Sequence, residues 1–251
     1  GLERDDLIAG GVEQRLGELV RAIVRADSEN TTDFSTQVSI GGPIGAGKSK
    51  TIALLCAQLV AHGFDVHVIK EERPPELFEL YLKDPATYGD DFQHYMAHRR
   101  ASNAVGAKYV GIFAQNGTRR RPIVLHERTI LEDAGFFEVN VQMGRIPAAR
   151  RAAYARMTSD ARERCLRDVH LFVMLDVPLE TTRTRMFARG RAGEFTDATE
   201  REAYGEDPYF EKLYEWYTAF GDEMEALAPG RVHTYDNSEH SPLHLSAASI
   251  D

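Results

Sequence analysis

Gly42-Pro43-Ile44-Gly45-Ala46-Gly47-Lys48-Ser49 follows the short apolar run Gln37–Ile40 and opens a helical stretch, Thr51–His62, that Gly63 stops. The eight residues satisfy G-x-x-x-x-G-K-[ST] in the strand-before, helix-after context that pattern requires. Its glycines let successive backbone N–H groups curl around phosphate oxygens, and the helix N-terminus adds partial positive charge. Lys48 is expected to reach the β- and γ-phosphates and Ser49 to ligate Mg²⁺. The expected triphosphate contacts are therefore Gly42, Gly45, Ala46, Gly47, Lys48 and Ser49. The motif calls for a nucleoside triphosphate but does not name the reaction.

Working outward from the loop, strand and helix patterns alternate. Val66–Ile69, Pro122–Leu125, His170–Leu175 and Arg231–Tyr235 read as strands. Pro74–Leu82, Asp90–Phe113, Pro147–Arg167, Leu179–Ala188 and Tyr209–Leu227 read as helices. Together with Gln37–Ile40 this predicts an α/β fold, a parallel five-stranded sheet with helices on both faces. Ligands on such sheets sit at the carboxyl ends of the strands. Residues 1–35 read as an N-terminal extension and 36–251 as one P-loop domain. Leu7–Val24 has helical spacing and is expected to be either a packing or oligomer helix or a loosely attached tail.

The chain has 251 residues, 43% hydrophobic and 27% charged, which is a globular composition. A net charge of −9 argues against gripping a nucleic-acid polymer, whose phosphates supply most of the affinity. A locally positive cluster for a small anion remains compatible with it. Cys56 and Cys165 lack metal-ligand spacing and read as reduced thiols in a cytoplasmic setting. No stretch has the apolar length of a membrane span, and Gly1–Gly10 lacks a signal core. A presequence removed before residue 1 leaves no trace here.

Carboxylates and guanidiniums recur at strand and helix ends. Glu71 and Glu72 follow the strand Val66–Ile69. Glu127, Arg128 and Thr129 follow Pro122–Leu125. Arg183, Arg185, Arg189 and Arg191 crowd a helix end around Gly190. With Phe92-Gln93 and Arg100, these anchors stand in the order and spacing of a known family. From about Val38 to Tyr217 the chain resembles the deoxynucleoside kinases, which include deoxycytidine, deoxyguanosine and herpesviral thymidine kinases.

The resemblance implies ATP–Mg²⁺ as phosphate donor and the 5′-hydroxyl of a deoxynucleoside as acceptor, the reaction of nucleoside salvage. It implies that a carboxylate after the second strand accepts the hydroxyl proton. Aligning Val68-Ile69-Lys70-Glu71 on the family pattern points to Glu71. The family usually places proline next, where this chain has Glu72, so the choice between the two stays open. Glu127 is implied at the metal together with Ser49, and Arg128 at phosphate oxygens in a fork that lysine cannot reproduce. Arg185, Arg189 and Arg191 match the short arginine-rich lid of the family, whereas Arg183 does not and reads as surface.

For the acceptor, the resemblance implies Tyr81 and Glu194 at the sugar 3′-hydroxyl and Gln93 at the base edge. Arg100 and Asp133 match positions that face the base in deoxycytidine- and purine-type members. An Arg–Asp pair demands polar partners, which favours deoxycytidine or purine deoxynucleosides over thymidine. Lys50 and the missing tryptophan near Pro74, Pro75, Leu77 and Phe78 depart from the pattern. A homodimer is also implied. The alternatives are a nucleoside monophosphate kinase and a non-catalytic nucleotide-binding subunit.

Overall fold

The computed structural model describes residues 2–31, 33–114, 121–188 and 208–239, with the side chains of 2–12 and 114 left aside. Five strands run parallel: β1 (Thr36–Gly41), β2 (Val66–Ile69), β3 (Ile123–Glu127), β4 (Leu171–Asp176) and β5 (Val232–Asp236). Their spatial order is β2-β3-β1-β4-β5. The chain leaves central β1, skips a place to lay down β2, returns with β3, and then crosses to the other side for β4. The crevice therefore opens beyond the carboxyl ends of β1 and β3. The register sets Ile40 across from Glu127 and Ile69 across from His126. Gly42, Glu71 and Arg128, each one or two residues beyond its strand, are thus delivered to one edge.

Successive strand residues face opposite sides, and each side has its own core. Val173 packs with α1 (Leu2–Glu29) and α2 (Lys48–Ala61), alongside Leu19, Ile23, Leu55 and Leu59. Phe172 packs on the other face with α5 (Ile130–Gln142), α6 (Arg151–Asp168) and α8 (Tyr209–Leu227), alongside Phe137, Tyr154, Leu213 and Met224. Between α3 (Pro75–Lys83) and α4 (Pro85–Ala114), Tyr81, Phe92 and Met96 form a third, smaller cluster. A one-turn 3₁₀ helix (Ala148–Arg150) leads into α6, and α7 (Leu179–Ala188) follows β4. Among the described residues no helix is long and apolar enough to cross a membrane.

Two findings extend the sequence reading. Leu16, Leu19, Val20 and Ile23 of α1 are buried in the sheet core, so this part of the N-terminal helix packs and is not a loose tail. Burying each such side chain is worth roughly 1.5–3 kcal/mol. Helix α5 is absent from the sequence-level elements. It is buried nearly all round, polar Glu132, Asp133 and Asn140 as well as Ile130, Leu131, Phe136 and Phe137, so its polar residues do not mark a single solvent face. At Gly135 a Cβ would lie 2.3 Å from the Trp216 ring, which explains a helix-weakening residue there: α8 presses directly on the α5 backbone.

Candidate active site

The phosphate loop is shaped by its glycines. Gly45 and Gly47 have φ of 84° and 91°, in the left-handed region. A Cβ at Gly45 would sit 2.2 Å from the Thr182 carbonyl oxygen, because α7 packs against the loop. Ala46 is buried, and its carbonyl accepts from Asn237 Nδ2 at 2.6 Å. Gly47 caps α2, whose first turn carries no acidic residue to quench the amide dipoles. The Lys48 ammonium donates to the carbonyls of Gly42 (2.9 Å) and Pro43 (2.8 Å). Burial first, and then the neighbouring Arg128 charge, push the Lys48 pKa down to about 7.

Glu71 lies inside the site and Glu72 outside it. Glu71 accepts from Arg128 Nη1 at 2.6 Å and from Arg100, whereas Glu72 pairs with Arg99 on the surface. Burial acts to raise the Glu71 pKa, but the Arg128 and Arg100 guanidiniums, with Lys48, outweigh it and hold the carboxyl below its usual range. Glu127 accepts from Ser49 Oγ at 2.7 Å.

Arg128 has φ 65°, the one non-glycine residue with positive φ among those described. Its Nη2 donates to the Gly42 carbonyl at 3.3 Å and its Nε to the Tyr217 hydroxyl at 3.2 Å. Burial acts to lower the Arg128 pKa, but Glu71 foremost, with Tyr217 and Glu132, raises it, so the guanidinium is permanently charged.

These groups line a cleft of about 840 Å³, measured to its open mouth. Lys48, Glu71, Glu127 and Arg128 share this lining with Tyr81, Phe92, Gln93, Met96, Arg100 and Phe136; Arg100 meets Glu71, and Arg128 lies 4.8 Å from the centre of the Phe136 ring. Tyr81 stacks on Phe92 with centroids 4.7 Å apart, and its hydroxyl donates to Asn140 Oδ1 at 3.3 Å. Gln93 is 2% exposed. Asp133 is fully buried, outside the cleft wall, and ion-pairs with Arg100. It backs the arginine that faces the cavity. Arg73, poised over the Phe78 ring at 4.3 Å, stands in the region where the sequence lacks the tryptophan.

Arg185 is half-buried on α7 beside the loop and donates to the carbonyls of Asn237 (2.8 Å) and Ser238 (3.0 Å). Arg183 pairs with Glu180 and Glu211, away from the cleft. Arg189, Arg191 and Glu194 lie outside the described residues. The sequence reading overlooked Glu132, Tyr217 and Phe136. Glu132 had a local signal, the Thr129-Ile130-Leu131-Glu132 capping box, which also marked the unassigned helix.

The donor set suits Mg²⁺. Ser49 and Glu127 offer hard oxygens in contact beside the phosphate loop, and Mg²⁺ commonly takes one or two carboxylates plus substrate phosphates. A cage built wholly from protein is not needed, and among the described residues no group of three or more His, Cys, Asp or Glu side chains forms one.

Comparison with known proteins places the chain among relatives. The family profile described as Deoxynucleoside kinase matches residues 38–243. A deoxyguanosine kinase of Lactobacillus johnsonii is 27% identical over 206 residues, spanning 77% of this chain and 85% of that protein. A deoxyadenosine kinase of Lactobacillus acidophilus is 26% identical over 189 residues, spanning 72% and 81%. Among solved structures, deoxyadenosine kinase from M. mycoides with bound dATP superposes with a TM-score of 0.58 at 23% identity, covering 81% of this chain and 92% of that one. That likeness shows the fold.

Proposed function

Because the chain belongs to the deoxynucleoside kinase family, we propose that it transfers the γ-phosphoryl group of ATP to the 5′-hydroxyl of a deoxynucleoside, as in nucleoside salvage. The observation that carries this reading is the meeting of Lys48, Glu71, Arg128 and Glu127 in one cleft that aromatic side chains and the Gln93 amide also line. Residues 36–251 would carry the reaction, with 1–35 as an extension whose helix braces the sheet.

In the proposed reaction the flat base enters among Phe92, Tyr81 and Phe136, with the Gln93 amide and Arg100 at its polar edge. Tyr81 and Glu194 serve the 3′-hydroxyl. Glu71 orients the 5′-hydroxyl. The O5′–P bond forms as the bond between phosphorus and the β,γ-bridging oxygen breaks, ADP departs, and the hydroxyl proton passes to Glu71. Gly42, Gly45, Ala46 and Gly47 cradle the phosphates. Lys48, Arg128 and the lid arginines Arg185, Arg189 and Arg191 neutralise charge on the transferring group. Ser49 and Glu127 would hold Mg²⁺, which when bound shields the phosphates.

The buried Asp133–Arg100 pair supports a polar base edge. Asp133 and Glu71 hold Arg100 in the cleft lining, and a base edge that offers this guanidinium a further acceptor would be preferred. This favours deoxycytidine or a purine deoxynucleoside over thymidine, in keeping with the purine-named relatives. An assay of phosphate transfer across the four deoxynucleosides, their ribose counterparts and their monophosphates tests it. The expected result is a kcat/KM for the best of these deoxynucleosides at least about tenfold above that for thymidine. Thymidine as best substrate would overturn the base reading, and transfer to monophosphates alone would overturn the acceptor.

A homodimer is the proposed assembly. Val105, Tyr109, Ile112 and Phe113 form one exposed apolar stripe along α4, larger than scattered surface residues explain. Sedimentation equilibrium should give twice the chain mass, and a Tyr109→Glu, Phe113→Glu variant should sediment as a monomer. A wild-type monomer would rule this assembly out.

A further inference from the structure

We propose that Glu132 is a positioning residue that fixes Arg128 and the first glycine of the phosphate loop together, and that Tyr217 holds Glu132 in place. The proposal rests on the kinase reading above.

An acidic residue three places into a helix commonly reaches back to the amide at the helix start, and Glu132 does so, its Oε1 accepting from the Thr129 N–H at 3.3 Å. Such residues normally sit at the surface. Glu132 is 1% exposed, and its other oxygen goes elsewhere. Oε2 accepts from the Gly42 N–H at 3.1 Å and from the Tyr217 hydroxyl at 2.8 Å, and it lies 3.6 Å from Arg128 Nε. One carboxylate thus ties the start of α5, the phosphate loop, the phosphate-facing arginine and α8. The strand makes room for it: a Cβ at Gly41 would lie 3.1 Å from Oε1.

The arrangement divides Arg128 into two edges. Nε is fixed from behind by the Tyr217 hydroxyl and Glu132, while Nη1 and Nη2 point to Glu71 and Gly42. A guanidinium held this way needs no reorganisation as charge develops on the transferring phosphoryl group. The Tyr217 hydroxyl is not needed to fill space, since a phenylalanine ring would pack the same core. It donates to the carboxylate while accepting from the arginine, which only an O–H can do.

The test uses the full chain with Glu132→Gln and Tyr217→Phe, singly and together. Hydrogen exchange by mass spectrometry should show peptides spanning Gly42 and Arg128 exchanging about tenfold faster in each variant, with β4 and β5 unchanged. In steady-state kinetics kcat should fall about tenfold or more, with KM for ATP and for the deoxynucleoside within about threefold of wild type, the pattern of an interaction realised in the transition state. The double variant should be no more than about threefold slower than Glu132→Gln alone, because the two residues act as one unit.

Tyr217→Phe with wild-type exchange and wild-type kcat overturns the proposal, as does a kcat loss that merely tracks thermal unfolding. Should Glu132→Gln fail to fold, Tyr217→Phe decides alone. Were the wild-type chain inert towards every deoxynucleoside, the kinase reading would fail, and the exchange arm would still decide whether Glu132 holds the loop.

Discussion

Glutamine in place of Glu71 is expected to lower kcat by about 10²–10⁴-fold, the span of a positioned proton acceptor, while ATP still binds. The carboxylate sits between two guanidiniums, with its side chain 12% exposed. Glutamine keeps the shape, loses the charge, and turns an N–H₂ towards one of the cations. Held below the usual carboxylate range, Glu71 stays ionised as pH falls through the ordinary glutamate pKa, so its own titration does not set an acid limit at neutral pH. The same depression makes it a weak proton acceptor, and much of its effect is expected from aiming the hydroxyl. Glu72→Gln is the control. Glu72 makes an exposed pair with Arg99, and such pairs are worth about 0–1 kcal/mol, so activity should hardly change. Measuring kcat and ATP affinity for both variants checks this, and a fully active Glu71→Gln protein would remove Glu71 from the chemistry.

Lys48→Met should be as damaging, with kcat/KM down by about 10³-fold or more, because the proposed reaction would lose the buried cation that neutralises the phosphates. The wild-type lysine carries a second, pH-dependent signature. Its pKa is lowered to about 7 by burial and then by Arg128, so above that pH the free protein holds it mainly neutral. A triphosphate favours the charged form and raises the pKa. ATP binding at pH 8 should therefore take up a proton at this site, and affinity should weaken as pH rises above 7, by up to about tenfold per unit. Below the lowered pKa the lysine is already charged and the uptake vanishes. Calorimetry at pH 8 in buffers of different ionisation enthalpy measures the uptake, and Lys48→Met should abolish this contribution. A buffer-independent enthalpy in the wild type would refute the linkage.

Much of this architecture is legible in the chain. The phosphate loop announces itself because its glycines, lysine and serine are contiguous. Strand β2 and helices α7 and α8 have the bounds that periodicity gives. What stayed hidden depends on three dimensions. Helix α5 buries polar Glu132, Asp133 and Asn140 along with its apolar residues, so its polar positions do not trace one exposed face. Glu71 and Glu72 are neighbours in sequence and point to opposite environments, a distinction that only the strand's edge geometry makes. Asp133 reads as a base contact but is placed behind Arg100. The Glu132–Tyr217 bond joins residues 85 positions apart, each of which reads locally as something ordinary, a cap and a core aromatic.

Arg128 occupies a backbone conformation that suits glycine and burdens any side chain by about 1–2 kcal/mol. Glycine would relax the bend after β3, yet it would leave Glu71 and Glu132 buried without this cation, a loss of about 3–5 kcal/mol that outweighs the relief. A thermostabilising redesign that scores backbone comfort will nominate this position early. The exchange would lower the melting temperature rather than raise it, so protecting Arg128 is the first constraint such a redesign should carry.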